Sequence, residues 1–137
     1  MLKQLLITFF LFAFGGKMFA QTILGIDVSH YQGTINWSQV AAAGKVFAWA
    51  KSTEGVSYTD PQFVNNETNG NSAGVVMGAY HFARPETNAA LDEANYFLSV
   101  AGSYIGTNHL PPVLDLEDPS GGPALSTAMS SAALSAW

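Results

Sequence analysis

Short apolar runs alternate with segments of helical periodicity along the chain after its first twenty residues. Four of these runs have the composition of buried strands, and they cover residues 23–28, 46–50, 75–82 and 112–117. A helix-like segment follows each run. This strand-then-helix order is typical of parallel βαβ units in which helices cover the sheet. The pattern therefore predicts an α/β fold.

Capping signals mark the starts and ends of the predicted helices. Asn36 and Gln39 form a capping-box pattern at the start of the first helix, and Gly44 is placed to end it. Asp60 followed by Pro61 predicts the start of the second helix, with the aspartate as the N-cap.

The third predicted helix covers residues 87–101. Its apolar positions recur every three or four residues, and they are Leu91, Ala94, Leu98 and Ala101. We expect this stripe to face the core. A fourth helical pattern starts near Ala124 and still runs at Trp137, so the repeat stops without a closing element.

Residues 1–20 have the features of a secretory signal peptide. Lys3 gives a positive start, residues 5–14 are almost wholly apolar, and Ala20 precedes the expected cleavage point. A membrane anchor is the alternative, but this apolar stretch is about half of the ~20 residues that a bilayer needs. We therefore expect a mature domain over residues 21–137, secreted to an extracellular or periplasmic location, with no membrane segment after cleavage.

The composition narrows the possible partners. Hydrophobic residues make up 48% of the chain and charged residues 11%, which is typical of a chain that folds around a core. Without residues 1–20, three basic and ten acidic side chains leave a net charge of −7, so nucleic acid, which needs a basic patch, is not an expected partner. The absence of cysteine excludes disulfides, thiolate zinc sites and a cysteine nucleophile.

Asp115 and Glu117 are the strongest chemical signal in the sequence. They are two residues apart on a predicted strand, so both side chains leave the same face of the sheet. Like charges on one face disfavour joint ionisation, and one of the two pKa values should rise. Glycoside hydrolases use a protonated carboxyl group beside an ionised one. Two solvated carboxylates at the end of a strand would show the same sequence pattern.

Asp27 adds a third carboxyl to this arrangement. Alternation along residues 23–28 puts Ile23, Gly25 and Asp27 on one side of the first strand. Parallel α/β proteins build active sites at the carboxyl ends of their strands, where Asp27 and the carboxyl pair all lie. A lone aspartate two residues before a serine is otherwise a common helix cap or turn former.

Several polar side chains have two possible roles. His30 and His81 could be metal ligands, but no HxH or HExxH spacing accompanies them, so we expect hydrogen-bonded imidazoles and no bound metal. Lys51 and Glu54 follow the second strand, and they are either groups at the rim of the cleft or an exposed ion pair.

Aromatic side chains supply candidate platforms for sugar rings. Trp37 and Trp49 are expected in the core, whereas Tyr80 lies near a strand end and is the better candidate for a cleft. Tyr31 and Phe82 are further candidates.

Four motifs occur in order along the chain, namely GIDVSHYQGTINW at 25–37, KSTEG at 51–55, GAYHFARP at 78–85 and PVLDLED at 112–118. Together they resemble the glycoside hydrolase family 25 lysozymes, which are N-acetylmuramidases. The resemblance implies a modified, TIM-like β/α barrel of eight strands, the last three of which lack regular intervening helices. It also implies cleavage of the β-1,4 bond between N-acetylmuramic acid and N-acetylglucosamine in peptidoglycan, without a cofactor.

The resemblance further implies roles for residues in the matched motifs. Glu117 corresponds to the general acid that protonates the leaving oxygen, Asp115 to its partner carboxylate, and Asp27 to a cleft aspartate on the first strand. The substrate-binding candidates are Tyr80, His81, Tyr31 and Glu54. The residues leave open whether the substrate's acetamido group takes part or a direct displacement occurs.

The family's barrel continues beyond the four β/α units found here, so we expect this chain to be the N-terminal two-thirds of such a domain, with open edges on its first and fourth strands. A complete domain is expected to act as a monomer on peptidoglycan glycan strands. The alternative is a secreted saccharide-binding remnant that holds glycan without cutting it, because the later strands of the family's barrel supply further cleft residues.

Overall fold

The computed structural model describes residues 22–118 together with Gly122, Ala124 and Leu125. The predicted signal peptide over residues 1–20 and most of the fourth predicted helix lie outside the described residues. In the part of the chain that the structure describes, no helix is long and apolar enough to cross a membrane.

A single sheet forms the centre of the described part. Its strands are β1 (Leu24–Val28), β2 (Lys45–Glu54), β3 (Tyr58–Thr59), β4 (Val76–Phe82) and β5 (Val113–Asp115). Four of them lie in the order β1-β2-β4-β5, and each pairs in parallel with its neighbour. This confirms the α/β prediction. The sequence pattern does not predict β3, which is two residues long and pairs antiparallel with the end of β2.

Helices cover one face of this sheet. They are α1 (Trp37–Ala42), α2 (Phe63–Ser72) and α3 (Ala90–Ala101). On the sheet side of the core, Ala48 and Met77 are completely buried. The helices contribute Trp37, Phe63 and Phe97 to the same cluster. Trp37 is therefore a core residue, as its sequence context predicts.

At α1 the structure shows the predicted Asn36 cap and the terminating glycine, without the return bond from the Gln39 side chain that a full capping box has, and at α2 the predicted start is shifted. The Asn36 side chain accepts a hydrogen bond from the backbone N–H of Gln39 at 3.1 Å, and Gly44 adopts a φ of +77° two residues after the helix ends. At α2, Asp60 accepts from the backbone N–H of Gln62 at 2.9 Å. The helix itself begins at Phe63, so Asp60 stabilises the turn before the helix rather than its first residue.

The predicted apolar stripe of α3 is confirmed at Ala101 and wrong at its other three positions. Leu91 and Leu98 are 71% and 54% exposed, while the buried residues of the helix are Glu93, Phe97 and Ala101. The helix is rotated towards Glu93 because this carboxylate accepts several hydrogen bonds from the end of β4 and the loop after it. A polar network, which hydrophobic periodicity does not register, therefore decides which face of α3 is buried.

Candidate active site

Three carboxyl groups meet on the face of the sheet opposite the helices. Asp27 lies near the end of β1, Asp115 ends β5, and Glu117 follows two residues later. They line one cleft, and its other lining residues are Trp49, Tyr80, Val113 and Leu114. The structure thus brings together all three residues predicted to be catalytic and one of the predicted substrate-binding residues, Tyr80.

Two glycines make room for the aromatic side chains of β2 in this region. A Cβ atom at Gly25 would lie 2.0 Å from Cε2 of Phe47, and one at Gly78 would lie 2.9 Å from Cδ1 of Trp49. Each glycine pairs, on the neighbouring strand, with the aromatic residue whose ring lies over it. Glycine is required because a side chain at either position would push the ring out of place.

Trp49 belongs to the cleft, which corrects its predicted place in the core. Its side chain is half-buried, and the indole Nε1 donates a hydrogen bond to the carbonyl oxygen of Pro111 at 3.0 Å. Alternation along β2 explains this position, because Ala48 and Ala50 face the helices and Trp49 points to the opposite side. The bond to Pro111 also fixes the ring against the segment that leads into β5.

The carboxyl groups influence one another through their charges. Burial raises the pKa of Asp115, and the negative charges of Glu117 and Asp27 act in the same direction. The positive charge of Lys51 acts in the opposite direction. This agrees with the sequence prediction that one of the two pKa values of Asp115 and Glu117 should rise, because both side chains leave the same face of the strand.

Tyr80 adds a neutral hydroxyl group to the cleft. Burial raises the pKa of its phenol well above the usual range, and the charges of Asp115 and Asp27 add to this effect. The phenol therefore keeps its proton at physiological pH and can donate a hydrogen bond to a sugar hydroxyl or to a neighbouring carboxylate.

Lys51 and Glu54 form an ion pair in which Lys51 is buried and Glu54 half-buried, which excludes the exposed pair, one of the two alternatives that the sequence leaves open. Lys51 is 6% exposed, and its Nζ lies 2.5 Å from Oε2 of Glu54. The other carboxylate oxygen accepts hydrogen bonds from Arg84, including one from Nε at 2.7 Å. Burial acts to raise the pKa of Glu54, but the bonds from Lys51 and Arg84 outweigh it and lower the pKa below its ordinary value.

Comparison with known proteins identifies the family. A sequence profile of glycosyl hydrolases family 25 matches residues 26–137. The chain belongs to this family. It is 47% identical over 117 residues to lysozyme M1 of Streptomyces globisporus, a match that covers 84% of this chain and 39% of that protein. It is 37% identical over 120 residues to the N,O-diacetylmuramidase of a Chalaropsis species, covering 85% of this chain and 56% of that protein.

Solved structures show the same relationship in three dimensions. The bacterial lysozyme from Streptomyces coelicolor matches with a TM-score of 0.77 at 43% identity, over 86% of this chain and 54% of that one. The family GH25 lysozyme from Aspergillus fumigatus matches with a TM-score of 0.76 at 33% identity, over 84% and 55% of the two chains. The chain spans about half the length of these lysozymes, and the prediction of part of a TIM-like β/α barrel is confirmed.

A second polar cluster of this family 25 chain lies after the carboxyl ends of β1 and β2. His30 Nδ1 lies 2.7 Å from Oδ2 of the buried Asp60 and 3.0 Å from the hydroxyl oxygen of Tyr58. Tyr31 is 82% exposed, and its ring centroid lies 4.1 Å from that of His30. Tyr31 does not line the carboxyl cleft. The sequence predicts a capping role for Asp60 but does not indicate that this residue also binds His30.

His81 does not reach the cleft, although the matched motif makes it a substrate-binding candidate. Adjacent strand residues point to opposite faces, so Tyr80 faces the cleft and His81 faces α3. The His81 ring is buried, with Nδ1 2.7 Å from the hydroxyl oxygen of Thr53 and Nε2 2.6 Å from Oε2 of Glu93. Sequence reasoning missed Glu93, and alternation along β4 could have shown that His81 lies on the helix side.

The imidazole rings of His30 and His81 are hydrogen-bonded, as we expect from the sequence, which offers metal binding as the other possible role. His30 binds Asp60 beyond the carboxyl ends of β1 and β2, and His81 binds Glu93 between β4 and α3. Within residues 22–118 and the three further described positions, no group of three or more potential ligands could hold a metal ion.

Proposed function

We propose that this chain is the acid-bearing part of a muramidase that hydrolyses the β-1,4 bond between N-acetylmuramic acid and N-acetylglucosamine in peptidoglycan. The observation that carries the proposal is the convergence of Asp27, Asp115 and Glu117 with Tyr80 in one cleft. Relatives named as a lysozyme and an N,O-diacetylmuramidase support the same reaction class.

Glu117 is assigned as the general acid and Asp115 as its partner. Cleavage of a glycosidic bond requires one carboxyl group that donates a proton to the leaving oxygen and one carboxylate that stabilises the positive charge developing on the sugar. Two carboxyl groups that share one proton meet both needs. Asp115 can stabilise that charge directly or orient the 2-acetamido group of the substrate, and Asp27 supplies further negative charge to the cleft.

Substrate binding is assigned to groups at the carboxyl ends of the strands. Tyr80 lies among the acids and offers an aromatic ring and a neutral hydroxyl group. Tyr31 is an exposed ring on the segment after β1, and Glu54 lies at the end of β2. His81 has no part in this proposal because its ring faces α3.

The proposed substrate requires export. Peptidoglycan lies outside the cytoplasmic membrane, and residues 1–20 have the features of a secretory signal peptide. We assign the mature protein to an extracellular or periplasmic location, where the complete domain acts as a monomer on glycan strands.

The test measures new reducing ends released from purified peptidoglycan. It uses the full chain and a chimera in which residues 22–118 replace the corresponding segment of the Streptomyces coelicolor lysozyme. We expect the chimera to cleave peptidoglycan and Glu117→Gln to lower its rate by roughly 10²–10⁴-fold, because the amide cannot donate the catalytic proton. Glu86→Gln, a change of the same chemistry outside the cleft, is the control. Activity of Glu117→Gln near that of the parent would remove Glu117 from the role, and glycan binding without cleavage by both proteins would favour the saccharide-binding alternative.

A further inference from the structure

We propose that the indole ring of Trp49 is the platform on which a sugar ring of the glycan substrate stacks, with the apolar face of the sugar on the indole and its polar edge towards the carboxyl groups. The inference deepens the proposed function and rests on it. Trp49 is then a second aromatic substrate-binding residue of the cleft, beside Tyr80.

Three contacts hold the indole ring in one orientation. Its Nε1 donates a hydrogen bond of 3.0 Å to the carbonyl oxygen of Pro111. Its centroid lies 5.3 Å from that of the Phe47 ring, and the two ring planes meet at 76°. Its pyrrole part lies against Gly78, where an added Cβ would be 2.9 Å from both Cδ1 and Nε1. A ring that is fixed in this way loses little conformational freedom when a ligand packs on it.

These contacts leave part of the indole surface open to the cleft. The Trp49 side chain is only half-buried, and it lines the same cleft as the three carboxyl groups. The indole N–H is its single polar group, and Pro111 already accepts from it. The ring therefore presents an apolar surface to a ligand and makes no further polar demand on it.

The cleft combines apolar and polar parts, as a sugar ring does. Trp49 and Val113 are apolar lining residues, whereas the acids and the hydroxyl group of Tyr80 are polar. A pyranose ring carries C–H groups on its faces and hydroxyl groups at its edge. The negative π face of an indole attracts the positively polarised C–H groups. The polar edge of a sugar bound in this way meets the carboxyl groups and the phenol.

Strand register places the indole at the centre of this arrangement. Trp49 on β2 pairs with Asp27 on β1 and with Gly78 on β4, and its hydrogen bond reaches Pro111, just before β5. The ring therefore extends between the strands that carry Asp27 and Asp115. The cleft volume of about 340 Å³ lies within the range of roughly 300–1,000 Å³ that is usual for small-ligand sites.

The experiment uses the full chain carrying Glu117→Gln, so that the probe is not cleaved, and a soluble tetrasaccharide of alternating N-acetylglucosamine and N-acetylmuramic acid. In NMR spectra of the complex we expect nuclear Overhauser contacts between C–H protons of a sugar ring and the ring protons of Trp49. Trp49→Phe identifies the indole signals.

Affinities of variants for the same tetrasaccharide provide the second measurement. We expect Trp49→Leu to weaken binding by roughly 10–100-fold, because the sugar loses most of its apolar contact. Trp49→Phe keeps an aromatic face and should weaken binding much less. Phe47→Leu is the matched control, since it removes a ring from the same face of β2 that does not line the carboxyl cleft, and we expect it to bind as the parent does.

A complex without Overhauser contacts to Trp49 would overturn the proposal, as would equal losses of affinity in Trp49→Leu and Phe47→Leu, or a chain that does not bind the tetrasaccharide. The Overhauser contacts are measured without changing Trp49, so they decide the question even if Trp49→Leu does not fold. Neither measurement depends on catalysis. Trp49-dependent binding by a chain that cleaves no peptidoglycan would contradict the muramidase assignment and support the platform. Cleavage by a chain whose bound glycan does not contact Trp49 would do the reverse.

Discussion

The imidazole Nε2 of His81 lies 2.6 Å from Oε2 of Glu93, in the layer between β4 and α3. Glu93 is completely buried, and it also accepts hydrogen bonds from the backbone N–H of Arg84 at 3.1 Å and the side-chain amide of Asn88 at 2.7 Å. One carboxylate thus connects α3 with the end of β4. Because Tyr80 precedes His81, this connection also fixes the strand that brings Tyr80 into the cleft.

Glu93→Ala is expected to lower the free energy of unfolding by about 3–5 kcal/mol, because it leaves buried partners of the carboxylate without a hydrogen bond. Asp92→Ala removes an exposed acid from the same turn of α3, and we expect it to cost less than about 1 kcal/mol. Urea unfolding of the full chain measures both values. Equal losses in the two variants would show that the Glu93 network does not stabilise the fold.

Glu67 in α2 is expected to make the protein less stable as the pH rises. Both of its carboxylate oxygens are buried without a hydrogen-bond partner, and burial raises its pKa to about 7 from an ordinary value of 4.5. The native state therefore binds the proton more tightly than the unfolded chain, so the stabilisation is complete below pH 4.5 and is lost as the pH rises through about 7.

Glu67→Gln removes this dependence because the amide does not ionise. The variant should match the parent at acid pH and exceed its free energy of unfolding by about 3 kcal/mol above neutral pH. Nε2 of His109 lies 3.8 Å from Oε2 of Glu67, which is too far for a hydrogen bond. Unfolding curves recorded over this pH range test the prediction, and parallel curves for the two proteins would refute it.

Gly78 is expected to tolerate no side chain, because an added Cβ would lie 2.7 Å from Cβ of Leu110 and 2.9 Å from the indole of Trp49. Gly78→Ala should lower the free energy of unfolding by roughly 1–3 kcal/mol and change the fluorescence of Trp49, which lines the cleft. Gly102→Ala is the control, since it has helical φ and ψ angles and no atom within 4 Å of its added Cβ. A Gly78→Ala variant as stable as Gly102→Ala would mean that the cleft can move to accept a methyl group.

Strand patterns and capping signals were enough to predict the parallel sheet and the place of the three acids. Asp115 and Glu117 share a face because strand residues alternate, and Asp27 reaches the same cleft because the carboxyl ends of parallel strands meet at one edge. These relationships are local or topological. They do not depend on the details of side-chain packing.

Two of the errors concern residues whose burial depends on contacts with other side chains. Leu91 and Leu98 have the spacing of a buried stripe, but the interactions of Glu93 turn α3 away from them. Lys51 looks like a surface residue in sequence and is buried because the ring of Phe82 and the carboxylate of Glu54 receive it. Phe82 lies on a different strand from Lys51, so a single sequence does not show this contact, whereas the positions of Trp49 and His81 follow from alternation along β2 and β4.

The central claim is tested most directly by the identity of the sugar at the new reducing end of digested peptidoglycan. Purified peptidoglycan is treated with the full chain and with the lysozyme chimera, the products are reduced with borohydride, and the reduced sugar is identified by mass spectrometry. Cleavage by a muramidase leaves N-acetylmuramic acid at the reducing end, so we predict reduced muramic acid, and its loss in Glu117→Gln. Reduced glucosamine at the new ends, or muramic acid ends released equally by the Glu117→Gln protein, would contradict the proposed function.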